Sequence, residues 1–235
     1  MRSLLVGLGV PAAAAGELTD DLVARYAEPH RRYHTGEHLT EVMGEVYRLL
    51  FLVRCSANEA SAVRLAVWFH DAVYDPTVAS GGNEDASANL ATAGLSSAGV
   101  PRSLVSEVAR LVRLTADHAV DPTDVAGSVL VDADLSVLAS IPDRYDRYVR
   151  DVRAEYGHVD DDAWCAGRAV VLRRFIDASP LYRIGPDRAV RERGARTNME
   201  RELAAFMVRA AGQRCGESVG DADRPPGAGG RAPEG

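Results

Sequence analysis

The fold class that the sequence predicts is all-α, in the form of a single helical bundle. Apolar side chains recur every three or four residues along most of the 235-residue chain, which is the spacing of one helix face. No stretch alternates apolar and polar residues for long enough to indicate a sheet. From residue 212 onward the composition turns to Gly, Pro, Asp and Arg, which predicts a disordered tail. We therefore assign residues 1–16 to a lead-in segment, 17–211 to the helical domain and 212–235 to the tail.

Two helices are predicted before the middle of the chain. Residues 17–27 place apolar side chains on one face, and Pro29 closes that helix. Thr35 stands where a capping side chain would begin the next helix, over residues 36–54. This second helix carries one apolar stripe, formed by Leu39, Val42, Met43, Val46, Leu49, Leu50 and Val53. Such a stripe predicts a helix that packs against the core.

Residues 59–73 form the most apolar of the predicted helices. This segment is hydrophobic on nearly every side, which predicts burial in the core, and Asp75-Pro76 ends it. Residues 77–82 follow as a flexible loop that could cover a site. Residues 84–95 then resume as a weakly amphipathic, alanine-rich helix.

The rest of the chain is predicted to form further helical segments. Two of them begin at a proline, which suits the first turn of a helix because its backbone nitrogen needs no partner there. One apolar segment is interrupted by two aspartates, which need charge compensation if they are buried. The predicted segments cover residues 101–115, 128–138, 142–156, 161–176 and 187–211.

Charge and composition exclude some classes of function. The formal net charge of −7 argues against a nucleic-acid-binding surface, which needs clustered positive charge. All 27 basic residues are arginine. Schiff-base chemistry on a lysine and a P-loop lysine are therefore excluded. Any substrate phosphate would be held by arginine, a metal, histidine or backbone amides.

Cysteine usage and hydropathy predict a cytoplasmic protein. Cys55, Cys165 and Cys215 are isolated and odd in number, which is typical of thiols in a reducing compartment. No apolar run reaches the length of a membrane span, and the apolar N-terminus is too short and too interrupted for a signal peptide. We expect neither a membrane nor a nucleic acid as partner, and leave a homo-oligomer open.

A histidine and an aspartate stand side by side in the most apolar helix. Burying His70 or Asp71 without a partner would cost free energy, and a divalent cation would satisfy both. Further side chains of ligand type occur on both sides of this pair, namely His34, His38, Asp132 and Asp134. Imidazole nitrogen and carboxylate oxygen suit Mg, Mn, Fe, Co, Ni or Zn, and the set does not distinguish among these metals.

The order of these residues resembles a known pattern. His38, then His70-Asp71, then an aspartate within residues 132–135 is similar to the H…HD…D pattern of the HD superfamily of metal-dependent phosphohydrolases. Three segments resemble, more narrowly, a bacterial group of predicted HD phosphohydrolases: Tyr33-His34-x-x-x-His38, Phe69-His70-Asp71-Ala72-Val73-Tyr74-Asp75 and Asn83-Glu84-x-x-Ser87-Ala88. The resemblance runs over residues 18–206.

The resemblance implies an HD-type helical domain with a metal held by His38, His70, Asp71 and Asp134. Asp134 is preferred over Asp132 because the last ligand of HD proteins tends to precede a leucine-like residue. Asp132 would then orient a ligand or a water. The reverse assignment of the two aspartates stays open.

The resemblance also suggests catalytic roles for two residues. In cyclic-nucleotide phosphodiesterases with a similar Tyr-His-x-x-x-His segment, the first histidine protonates the leaving oxygen, which makes His34 a candidate general acid. Its alternative role is to contact substrate or to mark the helix entry. Asp71, next to both metal and water, would accept a proton.

Several other polar residues are assigned secondary roles. His118, Glu84 and Asp75 could hold a second metal or orient ligands, as extra His and acidic residues do in some HD proteins. Glu84 with Asn83 could equally mark a helix start on the surface. Arg31 and Arg32 could grip a substrate phosphate at the mouth of the site, or could be a solvated pair.

The function expected from this resemblance is metal-dependent hydrolysis of a phosphate ester or anhydride. The substrate would be a nucleotide or another small phosphorylated metabolite, cleaved by a metal-activated water. Two alternatives remain. One is a di-iron HD-type oxygenase, which requires more ligands, and the other is a non-catalytic, metal-stabilised ligand-binding domain.

Overall fold

The computed structural model describes residues 1–79 and 81–220, with side chains described through residue 208. Within these residues the chain is helical and has no strand, so the predicted all-α class is confirmed. The helices are α1 (Arg2–Gly7), α2 (Ala12–Tyr26), α3 (Gly36–Leu52), α4 (Ala57–Phe69), α5 (Gly82–Ser97), α6 (Arg102–Leu114), α7 (Val125–Asp134), α8 (Pro142–Glu155), α9 (Asp161–Asp177) and α10 (Arg188–Gly220). A short 3-10 helix, Leu135–Ala139, continues from α7.

The lead-in segment belongs to the bundle. Residues 1–16, predicted to lie outside the helical domain, contain α1 and the first turn of α2. Leu5 and Ala15 are completely buried in the same core as α3 and α4. The apolar character of this segment, together with its alanine content, is therefore explained by packing.

Two hydrophobic clusters form the core. The larger one is formed by helices α1 through α7, and Val63, Phe69 and Leu111 are among its fully buried members. The smaller one joins the 3-10 helix to α8, α9 and α10. Tyr33 belongs to the smaller cluster and Leu39 to the larger one. The segment between these two residues therefore runs along the boundary of the two clusters, where the candidate site lies.

Local capping fixes where the site-bearing helices begin. The Thr35 side chain accepts a hydrogen bond from the Glu37 amide at the start of α3, as predicted. Ser56 and Glu59 form a reciprocal capping box at the start of α4. The Asp124 side chain accepts from the Gly127 amide at the start of α7. Each helix that supplies a candidate ligand therefore has a defined first turn.

Helix α4 is shorter than the sequence predicted. It ends at Phe69, with His70 as the capping residue, whereas residues 59–73 were expected to be helical. Residues 70–73 form a turn instead, in which the Ala72 amide donates to the Phe69 carbonyl. His70 and Asp71 thus lie where the chain leaves the helix.

The last helix is tied to the rest of the bundle by polar contacts. The Asn198 amide donates to the carbonyls of Leu138 and Ser140, at 2.9 Å each. Helix α10 continues to Gly220, beyond the expected end of the domain at residue 211. The greater part of the expected tail, residues 221–235, lies outside the described residues.

Among the described residues, no individual helix has both the length and the apolar character that a membrane crossing requires. The segments Val125–Ala139 and Pro142–Glu155 reach that criterion only as a pair, and they meet at an angle of 104°.

Candidate metal centre

Four side chains from three helices converge at one point. Helix α3 supplies His38, the end of α4 supplies His70 and Asp71, and the last residue of α7 supplies Asp134. His38 and His70 are buried, with 3% and 1% of their surface exposed. These are the four residues that the HD resemblance predicted as metal ligands.

The distances within this cluster suit a small divalent cation. The Nε2 atoms of His38 and His70 lie 3.2 Å apart. Asp71 Oδ2 lies 3.4 Å and 3.0 Å from these two nitrogens, and Asp134 Oδ1 lies 3.4 Å and 3.5 Å from them. Ligands about 2.1 Å from a first-row metal are separated from one another by about 3.0 to 3.4 Å. His38, His70 and Asp71 could therefore hold a metal ion.

Hydrogen bonding fixes the tautomer of one histidine. His70 Nδ1 lies 2.8 Å from the Val67 carbonyl oxygen, which can only accept, so Nδ1 carries the proton. The other ring nitrogen, Nε2, faces Asp71 and Asp134 and is the atom that would bind a metal. This is the arrangement of a metal-binding histidine, whose second nitrogen is usually held by a carbonyl or carboxylate.

The charges of the cluster keep both carboxylates ionised. Burial alone would raise the pKa of Asp71, but the charge of His70 outweighs it and holds the pKa well below its usual range. For Asp134 burial acts in the same direction, and hydrogen bonds from His118 and His38 lower the pKa well below normal. Metal binding therefore requires no proton to leave either carboxylate at ordinary pH.

The two aspartates of α7 have different roles. Asp134 faces the cluster, whereas the completely buried Asp132 faces the loop before α10. Asp132 Oδ2 accepts from the amides of Arg183 and Ile184, at 2.7 Å and 2.8 Å. The expectation that Asp132 orients a metal ligand is therefore corrected, because its carboxylate anchors a loop.

His34 is held beside the cluster by an acidic residue that the sequence analysis missed. Its Nδ1 donates to Glu155 Oε2 at 2.7 Å. Glu155 is buried, and its Oε1 accepts from the amides of Arg32, Tyr33 and His34 at 2.7 to 3.0 Å. Because the carboxylate holds Nδ1, the Nε2 atom of His34 remains available to a substrate.

A signal for Glu155 was present in the sequence. Tyr148, Val152 and Glu155 follow one another at helical spacing on the buried face of α8. An acidic residue on an otherwise apolar stripe must have partners inside the protein. The distance of 121 residues along the chain to His34 hid the partner.

Arg31 and Arg32 do not line the cavity at the metal centre. The Arg31 guanidinium is buried and donates to the carbonyls of His34, Asp71 and Ala72. Arg32 is exposed, donates to the Pro29 and Arg31 carbonyls, and lines a separate cavity. The expectation that Arg31 grips phosphate is corrected, because its donors hold the backbone around the cluster.

Asp75 also serves the local backbone. Its Oδ1 accepts from the Thr77 amide at 2.8 Å and from the Thr77 hydroxyl at 2.7 Å. The Asn83 side chain bonds to the Asp75 amide and carbonyl, at 3.0 Å and 2.9 Å. Asp75 therefore shapes the turn before α5 and lies outside the cluster.

His118 and Glu84 do face the candidate site. His118 adopts a left-handed backbone conformation, φ 58°, and its Nε2 lies 3.1 Å from Asp134 Oδ2, the oxygen of Asp134 paired with neither cluster histidine. His118 Nδ1 and Glu84 Oε2 are buried without a hydrogen-bond partner. These unpaired atoms next to the cluster are consistent with further ligand or substrate contacts.

A cavity of about 480 Å³ opens onto the cluster. Asp134, His34, His118 and Glu84 line one part of it. Residues after position 142 also line the cavity, and they include Tyr148, Tyr156, Arg168, Arg174 and Phe175. The basic side chains of the cavity therefore come from α9.

Comparison of the chain with protein-family models, with curated proteins and with solved structures gave no match.

Proposed function

We propose that this protein is a metal-dependent phosphohydrolase that acts on a nucleotide or another small phosphorylated metabolite. The observation that carries the proposal is the convergence of His38, His70, Asp71 and Asp134 at the edge of a cavity that also contains His34 and two arginines. A cation site, a candidate proton donor and anion-binding groups are the three components that phosphate-ester hydrolysis requires.

Arg168 and Arg174 are the groups we assign to the phosphate. Arg168 is 8% exposed, and it donates to the Glu202 carboxylate from Nε at 2.9 Å and from Nη2 at 3.3 Å. Its guanidinium therefore has a fixed position in the cavity wall. Arg174 is exposed and lies over the Phe175 ring, so it can move toward an entering anion. Planar guanidinium groups suit the oxygens of a phosphate.

His38, His70, Asp71 and Asp134 would hold a divalent cation, which would supply Lewis-acid activation of the attacking water and of the P–O bond. Hydrolysis joins the water oxygen to phosphorus and breaks the P–O bond to the leaving group. Asp71 takes one proton from the attacking water. His34, held through Nδ1 by Glu155, gives the proton of Nε2 to the departing oxygen.

Metal analysis combined with a hydrolysis screen tests the proposal. The purified protein is assayed with each of the candidate metals against nucleotides, sugar phosphates and aryl phosphates. We expect activity with at least one metal, and a loss of at least about 10³-fold in His70→Ala and Asp71→Ala. Gly44→Ala, on the exposed side of α3, serves as a matched control. Activity that survives both cluster substitutions would show that the hydrolysis arises elsewhere.

A di-iron oxygenase is the second candidate, and one observation favours it. The second oxygen of Asp134 is bound by His118, and Glu84 lies in the same cavity, so the residues extend beyond one cation. The arginines of the cavity favour the hydrolase, because O₂ activation requires no anion-binding groups. Two irons per chain with O₂ uptake would support the oxygenase. Tight binding of a phosphorylated compound without product would instead support a binding domain.

A further inference from the structure

A second cavity of about 420 Å³, here called the branch, lies along α8 and α9 and adjoins the candidate active-site cavity. The residues that line both spaces are Val152, Tyr156, Arg168 and Val171. Because four side chains line both spaces, the two cavities are neighbours, and a molecule with its phosphate at the metal cluster would have to extend past these side chains to place its other end in the branch.

The branch is built for an apolar group. Besides the shared walls, it is lined by Val159, Ala163, Trp164 and Gly167. The Tyr156 and Trp164 rings have centroids 5.3 Å apart at an interplanar angle of 44°. Arg153 lies over the Trp164 ring, 5.3 Å from its centroid, which fixes the indole in place. Two aromatic side chains in a cleft offer a surface for a flat ligand.

The branch lacks the groups that recognise a nucleobase or a sugar. Among the described residues that line it, none is a carboxylate or an amide side chain. Polar ligand groups placed there would meet no side-chain polar atoms other than those of Tyr156, Trp164 and Arg168, so hydration lost from them would be replaced only in part, which costs free energy. An apolar ligand group would give up no hydrogen bonds to water, and it would bury apolar surface against Trp164 and Val159.

Arg168 divides the two environments. Its charged group lies at the junction, 8% exposed, paired with Glu202 and placed over the Tyr148 ring at 5.0 Å. The anionic end of a ligand would be attracted to the metal cluster and to Arg168. Its apolar end would be left to the aromatic branch. The arrangement therefore orders an amphipathic phosphate ester in one direction.

We infer that the preferred substrate is a phosphate ester whose leaving group is a flat, apolar group that lies in the branch against Tyr156 and Trp164. This inference rests on the proposed hydrolase function and narrows its substrate class. It favours an aryl-type phosphorylated metabolite over a nucleotide.

The branch can be filled without disturbing the protein. A Cβ added at Gly167 meets no atom within 4 Å, so Gly167→Leu would project into the branch without a clash at its base. Gly44 in α3 offers the matched control, because it too is helical, exposed and without a neighbour within 4 Å of an added Cβ. Neither residue belongs to the catalytic group.

The experiment compares naphthyl phosphate with glycerol phosphate in the metal-loaded full chain. We expect the wild-type kcat/KM for naphthyl phosphate to be higher by about tenfold or more. Gly167→Leu should lower this value by about tenfold, mainly through KM, and change the value for glycerol phosphate by less than about twofold. Gly44→Leu should leave both values unchanged.

Equal use of the two esters by the wild type, or an equal loss for both in Gly167→Leu, would overturn the inference while leaving the hydrolase proposal in place. If the wild type hydrolyses neither ester, the nucleotides and sugar phosphates of the wider screen decide the hydrolase proposal. Calorimetric binding of naphthyl phosphate then tests separately whether the branch binds a flat apolar group. Binding that Gly167→Leu abolishes and Gly44→Leu retains supports it, and no binding to the wild type refutes it.

Discussion

Glu155 determines the position of the candidate acid. One of its oxygens accepts three consecutive backbone amides, from Arg32 to His34, and the other accepts from His34 Nδ1 and the Tyr74 hydroxyl. The carboxylate therefore holds both the backbone and the ring of His34. Hydrogen bonds to a buried charge are stronger than neutral ones, so this one residue restricts the histidine to a single orientation.

Glu155→Gln should impair catalysis through His34. The oxygen of the glutamine side chain can still accept hydrogen bonds from the backbone amides. Its nitrogen would donate to His34 Nδ1, so the His34 ring would be neutral, with its proton on Nε2. We expect kcat to fall by about 10²-fold, measured as hydrolysis under saturating substrate. Asp146→Asn, at an exposed pair with Arg201, is the control. An unchanged kcat would remove His34 from the mechanism.

The same residue predicts an acid-sensitive fold. Burial would raise the pKa of Glu155, but the hydrogen bond and charge of His34 outweigh it and lower the pKa from 4.5 to about 2. A carboxyl with a lowered folded-state pKa stabilises the fold above its unfolded value and loses that contribution as the pH falls toward 2. We expect about 3 kcal/mol to be lost between pH about 4.5 and about 2.

Urea unfolding of the wild type and Glu155→Gln across this pH range measures that loss. The free-energy difference between the two proteins should shrink as the pH falls. A difference that stays constant from pH 6 to about 2 would contradict the assignment of a low pKa to this carboxyl.

At the scale of the elements, helix ends bring the candidate ligands together. His38 lies in the first turn of α3, Asp134 is the last residue of α7, and His70 caps the end of α4. Adjacent side chains on a continuous helix point about 100° apart. Because α4 ends at Phe69, His70 and Asp71 can both face one centre.

A side chain at Gly127 would crowd the start of α7. An added Cβ would lie 2.7 Å from Leu114 Cδ2 and would also meet the capping Asp124 carboxylate. We expect Gly127→Ala to lower the free energy of unfolding by about 1 to 3 kcal/mol, despite the higher helix propensity of alanine. Gly44→Ala, which meets open space, should raise it by about 0.5 to 1 kcal/mol. Chemical denaturation measures both, and equal changes would refute the packing argument.

At the scale of the molecule, the candidate metal centre connects the two hydrophobic clusters. Helices α3 and α4 belong to the larger cluster, whereas Asp134 is followed by Leu135 and Val137 of the smaller one. Several ligands from different parts of the chain act as a cross-link when a cation binds them. The stability of the whole bundle should therefore depend on the metal.

Removing metal with a chelator should lower the melting temperature of the wild type. Metal at about 100 times its Kd stabilises the folded state by about 2.7 kcal/mol, which corresponds to roughly 5 to 10 °C for a chain of this size. His38→Ala should respond to neither metal nor chelator. A wild-type melting temperature that is independent of metal would argue against a folded-state cation site.

The sequence alone determined the all-α class, most helix positions and the four residues of the cluster. The periodic apolar stripe of α3 predicted which of its faces is buried, because helical spacing is a local property of the chain. His38, His70, Asp71 and Asp134 came from the order of short motifs in the HD resemblance. The choice of metal and the reaction remain predictions.

Tertiary structure alone decided the contacts between distant residues. It paired His34 with Glu155, turned Arg31 inward and assigned Asp132 to the loop at Arg183, and none of these follows from spacing along the chain. It also placed Arg168 in the cavity that Asp134 lines, next to the branch along α8 and α9. The physical reason is that a buried polar group must find a partner, and only the packing of helices determines which partner lies within reach.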